Sequence, residues 1–206
     1  MIAAIVLAAG RSQRFGAPKL MEEVLGRPLL QWAIDSALAS NVDQVVVVLG
    51  HRSAELRARL RRGRFRVIHN PKFEEGLSTS LKAGLEVLPP DCEAACVFLG
   101  DTPFVPWSAT NEVIHQFRST GMPVWRPCYR NVPGHPVLVG RDVWPLIVDL
   151  KGDVGLRTLL LNYPDSLISM NMDPPRDVDT IDDLEHLRRE VGQSPALPTS
   201  RINSRD

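Results

Sequence analysis

The near-continuous apolar runs Gln44–Leu49 and Ala94–Leu99, with an apolar opening from Ile2 to Ala9, constrain the fold more than any other feature of this chain. Such runs suit parallel strands covered on both faces. Ala3–Leu7 and Arg66–His69 complete the strands expected in the first half. Between these strands, apolar residues recur at helical spacing: Leu30, Ala33, Ile34, Ala37 and Leu38, then Leu77, Leu81, Leu85 and Leu88, then Val113, Ile114 and Phe117. Strand and helix in alternation give a parallel α/β sheet with right-handed crossovers. The expected architecture is therefore a three-layer α/β/α sandwich with a mostly parallel, Rossmann-like sheet. Ligands of such sheets bind beyond the carboxyl ends of the strands. Gly10–Lys19 and Gly100–Pro103 both fall there.

The second half is less regular. Val124–Tyr129 and Val137–Val139 flank a Pro/Gly-containing turn, Asn131–Pro136, and predict a small β-hairpin insertion. Val143–Leu150 and Gly155–Asn162 read as short helices, and Leu167–Asn171 as a strand. A last helix starts near Asp179 and runs to Glu190, with Thr180 as N-cap and Asp182 and Asp183 in its first turn. From Gly192 the chain is polar, proline-containing and aperiodic, which predicts a disordered tail over 192–206 after one domain over 1–191. The formal net charge is zero, so no global field draws the protein to nucleic acid or to an anionic membrane. No apolar run approaches membrane-spanning length, and the amino terminus lacks the pattern of a signal peptide. Cys92, Cys96 and Cys128 have no metal-ligand spacing and are expected to be reduced, in a cytoplasmic protein.

Leu7-Ala8-Ala9-Gly10-Arg11-Ser12-Gln13-Arg14-Phe15-Gly16-Ala17-Pro18-Lys19 follows the first strand. Ala8, Ala9 and Gly10 let a ligand approach the backbone, and successive amides of such a turn form an anion-binding concavity. Arg11, Arg14 and Lys19 can then neutralise a polyphosphate. A solvated basic loop is the plainer alternative. A Walker A loop is excluded, because five residues separate Gly10 from Gly16 and Ala17 follows. The Gly-x-Gly-x-x-Gly fingerprint is excluded too, because no two glycines lie two residues apart. Asp101, just past the strand ending at Leu99, is a natural Mg²⁺ ligand unless Gly100–Pro103 is only a turn. Asp179, just outside the last helix, can join it as a second carboxylate on the same metal. Ser78 is a candidate N-cap of a helix whose amino end can hold an anion or a nucleobase edge, or is merely a cap. The dense run Arg57, Arg59, Arg61, Arg62, Arg64 and Arg66 is either a solvated helix end or a docking patch for an acidic partner.

Six segments in matching order, from about Ile2 to Leu187, resemble nucleotidyltransferases of GT-A-like fold. Within that group they are most similar to the molybdenum-cofactor nucleotidyltransferases, especially the cytidylyltransferase branch. The opening pattern Leu-Ala-Ala-Gly-x-Ser-x-Arg-x-Gly-x-x-Lys is met at every specified position, which implies that Ala8, Ala9, Gly10, Arg11, Ser12 and Gly16 bind the nucleotide. The resemblance also implies that Arg14 and Lys19 act on its β- and γ-phosphates. Gly100-Asp101-Thr102-Pro103 and Asp177-Val178-Asp179-Thr180 match the metal-binding elements, so Asp101 and Asp179 are the implied Mg²⁺ ligands. Asn-Pro-x-x-x-x-Gly-Leu-Ser-x-Ser implies cytidine or ribose contacts from Asn70, Gly76, Ser78 and Ser80. The Gly-His-Pro and Gly-Asp-x-Gly-x-Arg elements imply acceptor contacts from His135, Pro136, Asp153 and Arg157, although a lone His near a turn is also an ordinary structural residue. Thr102, Pro133 and Ile181 depart from the family's usual methionine, arginine and proline. The implied reaction joins CMP from CTP to the phosphate of the molybdopterin cofactor and releases pyrophosphate, with a molybdenum hydroxylase as possible recipient. Guanylyl transfer is the nearest alternative, since that branch typically has Leu-Ala-Gly-Gly. NAD(P)H-dependent reduction of dyes such as nicotine blue and non-catalytic cofactor chaperoning stand further off.

Overall fold

The computed structural model describes residues 1–12, 15–163 and 166–193. Of the tail expected over 192–206, residues 192 and 193 belong to the last helix, and 194–206 lie outside the described residues. In chain order the elements are β1 (Ile2–Ala8), β2 (Glu23–Val24), β3 (Arg27–Pro28), α1 (Leu29–Leu38), β4 (Gln44–Leu49), α2 (Ser53–Arg59), β5 (Phe65–His69), α3 (Leu77–Glu86), β6 (Ala94–Leu99) and α4 (Trp107–Thr120). The second half adds β7 (Val124–Tyr129), β8 (Val132–Pro133), β9 (Val137–Gly140), α5 (Trp144–Val148), α6 (Arg157–Leu160), β10 (Leu167–Met170) and α7 (Ile181–Gln193).

The main sheet runs β10-β7-β9-β6-β1-β4-β5, with β8 attached to β7. The β1–β4, β1–β6, β4–β5 and β7–β10 pairings are parallel, and β9 is antiparallel to both neighbours. Alternation along β1 sorts its residues into two cores. Ala4 and Val6 join Leu30, Ala33, Ile34 and Ile114 on the α1/α4 face. Ala3, Ile5 and Leu7 join Leu81, Leu85, Ile147 and Leu159 on the face of α3, α5 and α6. The three expected layers follow from this division, because every residue of β1 is buried.

The hairpin insertion is present, and its β7–β8 corner is a two-residue turn with Arg130 and Asn131 at φ 42° and 71°. Left-handed residues at both turn positions match the twist of the strands they join. The β2–β3 ribbon was not expected, because strands of two residues carry no readable period. The six arginines of the basic run are all exposed, along the end of α2, the loop after it and the edge strand β5. Charges there guard a sheet edge against pairing. No helix among the described residues is long and apolar enough to cross a membrane.

From β1 the chain moves outward through β4 to β5, then returns to the other side of β1 as β6. The carboxyl ends of β1 and β6 therefore border the crevice where such sheets bind ligands.

Candidate active site

Beyond Ala8 the chain turns sharply, with Ala8 and Ala9 buried and Gly10 open to solvent. It returns through Gly16, at φ 70°, into a single helical turn over Lys19–Met21. Lys19 is only 7% exposed. Its ammonium bridges two carboxylates, donating to Asp101 Oδ2 at 2.9 Å and to Asp179 Oδ1 at 3.2 Å. Asp101 stands at the end of β6, where the Gly100 N–H still bonds to the Leu7 carbonyl at 2.8 Å and continues the ladder with β1.

Asp179 is brought there by the C-terminal segment. The Val178 N–H donates to the Asp101 carbonyl at 3.0 Å, and the Thr102 hydroxyl donates to the Asp177 carboxylate. Val178 is fully buried in a third apolar cluster with Phe15, Leu29, Trp32, Leu184 and Leu187. Immediately afterwards, Thr180 and Asp183 bond reciprocally, Thr180 N to Asp183 Oδ2 at 2.8 Å and Asp183 N to Thr180 Oγ1 at 3.2 Å. This is the expected N-cap of α7, closed as a capping box. The cap hydrogen bonds hold the Asp183 carboxyl below the usual carboxylate range.

A cavity of about 660 Å³ opens above these groups. Its floor is Leu7, Ala8, Ala9 and Gly10; Lys19, Asp101 and Asp179 form one wall, and Phe73, Glu74, Leu77, Ser80 and Asp153 the other. Small ligands occupy cavities of this size. Two carboxylate oxygens converging on one cation are the donor set of a hard divalent metal that keeps water and phosphate oxygens as its other ligands. Among the described residues no group of three or more His, Cys, Asp or Glu gathers as a fuller metal cage.

Arg11 and Ser12 also line the cavity. Arg11, expected as a phosphate cation, is ion-paired with Glu74 and lies 5.7 Å from the Phe73 ring centroid, spanning the mouth. Arg14 lies outside the described residues. The expectation that Ser78 caps α3 is corrected: Gly76, at φ 109°, is the N-cap, and Ser78 is the second residue of the helix, with its hydroxyl buried and unpartnered. The first amides of α3 are taken by the chain itself, Leu77 N by Asp153 Oδ1 at 3.3 Å and Ser78 N by the Gly152 carbonyl at 3.2 Å. A Cβ at Gly76 would lie 2.1 Å from the Gly152 carbonyl carbon, so only glycine permits that approach. Asn70 ties β5 to α3, donating to Thr79 Oγ1 at 2.9 Å and Ser80 Oγ at 3.0 Å. Of the four residues expected around the nucleoside, Ser80 lines the cavity, while Asn70, Gly76 and Ser78 build its support.

The Gly134-His135-Pro136 segment leads from β8 into β9. The buried Tyr129 donates its hydroxyl to the His135 carbonyl at 2.8 Å, and Gly134 lies against the Tyr129 ring. Burial holds the His135 ring below its ordinary pKa, with Arg126 acting in the same direction and Asp177 and Asp101 opposing. Pro136 is buried at the entry to β9, and Arg157 is exposed at the start of α6. Neither lines the cavity. Sequence reasoning gave no role to Phe73 and Glu74, which lie at positions the Asn-Pro-x-x-x-x-Gly motif leaves open, to Asp177, which it quoted only as part of the last metal-binding element, or to Tyr129, which reads only as a strand residue.

The family model of the MobA-like NTP transferase domain matches residues 4–167. The molybdenum cofactor cytidylyltransferase of Escherichia coli K12 is 30% identical over 181 residues, which span 87% of this chain and 91% of that protein. A solved structure of a Mycobacterium tuberculosis Rv0371c homologue, from Mycobacterium sp. strain JC1, superposes with a TM-score of 0.82 at 30% identity, covering 93% of this chain and 96% of that one. Rv0371c of Mycobacterium tuberculosis, solved in complex with manganese, superposes with a TM-score of 0.77 at 27% identity, covering 91% and 98%.

Proposed function

Because this chain belongs to the MobA-like NTP transferase family, we propose that it transfers CMP from CTP to the phosphate of the molybdopterin cofactor, with release of pyrophosphate. The observation that carries the reading is the convergence of Lys19, Asp101 and Asp179 on one wall of a cavity floored by the small residues Ala8, Ala9 and Gly10. The triphosphate lies along the 8–12 loop, where its backbone can be approached closely. Lys19, together with Arg14, takes the β- and γ-phosphates and stabilises the charge that grows on the departing pyrophosphate. Asp101 and Asp179 would hold Mg²⁺, which when bound would supply positive charge to offset the phosphates as the anionic acceptor approaches.

In the transfer an acceptor phosphate oxygen bonds to the α-phosphorus. The bond from that phosphorus to the bridging oxygen breaks, and pyrophosphate leaves with the electron pair. A dianionic acceptor has no proton to lose, so the protein needs neither a nucleophile nor a general base. Its work is alignment and charge stabilisation. The side chains of Ala8 and Ala9 favour cytidine by the room they leave beside the base, and the cytidylyltransferase activity named for the relative from Escherichia coli supports the same choice. The absence of long apolar helices among the described residues and the three free cysteines accord with a cytoplasmic enzyme.

Calorimetric titration of CTP, GTP, ATP and NADPH, each with and without Mg²⁺, tests the reading. CTP should bind more tightly than GTP, and only with the metal. Preference for GTP would make the enzyme a guanylyltransferase, and binding of NADPH alone, indifferent to Mg²⁺, would overturn nucleotidyl transfer.

A further inference from the structure

The chemistry above leaves the arginine run without a role. From Leu56 to Phe73 the chain carries the six arginines from Arg57 to Arg66, then Lys72, and no aspartate or glutamate. The six arginines are exposed, and none enters an ion pair among the described residues. The carboxylates that bracket the run are engaged elsewhere, Glu55 by Arg52 and Glu74 by Arg11. So dense a cluster of one sign repels itself and draws an external counter-charge.

The backbone beside these arginines is open as well. β5 closes the sheet, with β4 on one side and, among the described residues, no strand on the other. The Asn70 N–H bonds to the Leu49 carbonyl at 2.8 Å, so alternation turns the amides of Ile68 and Arg66 toward β4 too. Those of Phe65, Val67 and His69 face outward, and among the described residues no strand accepts from them. An open row of backbone donors and acceptors is a template for a further strand.

The arginines decide which strand that is. They repel the equally basic edge of a second copy and attract a chain that bears carboxylates. Lysine, more strongly hydrated, would serve edge protection alone; all six cations here are guanidinium forks, which take a carboxylate through two hydrogen bonds. Nucleic acid fits less well. A net charge of zero supplies no wide basic field, and Phe65, the aromatic ring within the run, packs on the core rather than standing free to stack on a base.

We propose that β5 and its arginines dock an extended, carboxylate-rich segment of a partner protein, which adds to the sheet as a new edge strand. Beyond His69, only Asn70, Pro71 and Lys72 separate β5 from Phe73 and Glu74 on the cavity wall. A partner seated there stands one short loop from the mouth of the site.

The test uses the full chain and a fluorescein-labelled peptide in which glutamate alternates with valine or threonine, followed by fluorescence anisotropy and by amide exchange. The peptide should bind, and raising NaCl from about 0.05 M to about 0.5 M should weaken it at least ~10-fold as the exposed charges are screened. Arg62→Glu combined with Arg64→Glu, both in the exposed loop before β5, should also weaken it at least ~10-fold. CTP affinity and the urea midpoint should be unchanged in that variant. Bound peptide should slow exchange of the Phe65, Val67 and His69 amides. A peptide alternating glutamate with proline keeps the charge but loses donors for pairing, and should bind more weakly. Failure of the first peptide to bind, equal binding of the proline peptide, or unprotected β5 amides would overturn the proposal. So would tighter binding of a thymidine oligonucleotide of equal charge, which would make the partner a nucleic acid.

Discussion

A lysine as buried as Lys19 needs counter-charge, and it draws on Asp101 and Asp179 together. Lys19→Met would leave two carboxylates facing each other across the vacated ammonium. With both partly exposed, the loss should be modest, about 1–2 kcal/mol, smaller than for a fully buried pair. Added Mg²⁺ should restore much of it where equal ionic strength of NaCl does not, as thermal melts would reveal. Asp101→Asn keeps the shape of the site and removes a charge, so turnover should fall at least ~100-fold while the melting temperature holds; a pyrophosphate-release assay on the variant checks this. His135 sets a pH dependence. Because its folded pKa is depressed, the unfolded chain binds more protons below the ordinary value of about 6.5, so stability is full above that pH and declines as pH falls beneath it. Urea midpoints from about pH 7.5 down to about 5 should trace this decline, and His135→Asn should flatten it. Lys19, Asp101 and Asp179 were each legible in the sequence as charged residues in the right kind of segment. Their mutual contact was not, because partners 82 and 160 residues apart leave no trace in local spacing. The Arg11–Glu74 pair escaped notice for the same reason.

Elements with strong periodicity were read almost to the residue. β4 and β6 coincide with their apolar runs, since both faces of each are packed and little else suits such a segment. The amino end of α3 shows where local reading stops. Leu77-Ser78-Thr79-Ser80 offers several hydroxyls for a cap, yet the helix starts after Gly76 because the 152–153 strap must come within contact of that backbone. Thr79 then takes up the Gly76 carbonyl at 2.9 Å. Gly76→Ala would meet a left-handed backbone and a carbonyl carbon in the same place. The cost should reach about 3 kcal/mol, at the upper end of what one strained residue carries, and should appear as a lower urea midpoint with weaker CTP binding. The ribbon β2–β3 was invisible for a simpler reason: turn geometry at Leu25 and Gly26, both at positive φ, defines it rather than any pattern of side chains.

Across the whole molecule, two cores share the strands of one sheet, and a third, smaller cluster joins the two ends of the chain. Opening β1 disrupts both main cores at once, so its amides and those of β4 and β6 should exchange only through global unfolding. Amides of the edge strand β5 and of the 150–156 segment should exchange through smaller openings. Native-state hydrogen exchange would rank them in that order, and early exchange of β1 would contradict the shared-core account. The parallel sheet and its layers were legible because they follow from patterns repeated many times along the chain. The third cluster was not, because Val178, Leu184 and Leu187 complete it from the far end. Synthesis on the ribosome gives that arrangement a direction in time. Once residue 170 has been made, every strand described in the sheet exists, but the third cluster lies open and Asp179, which shares Lys19 with Asp101, has yet to be translated. A nascent chain can therefore form most of its fold before the paired carboxylates of the candidate site exist, and their convergence on Lys19 waits until α7 has left the exit tunnel.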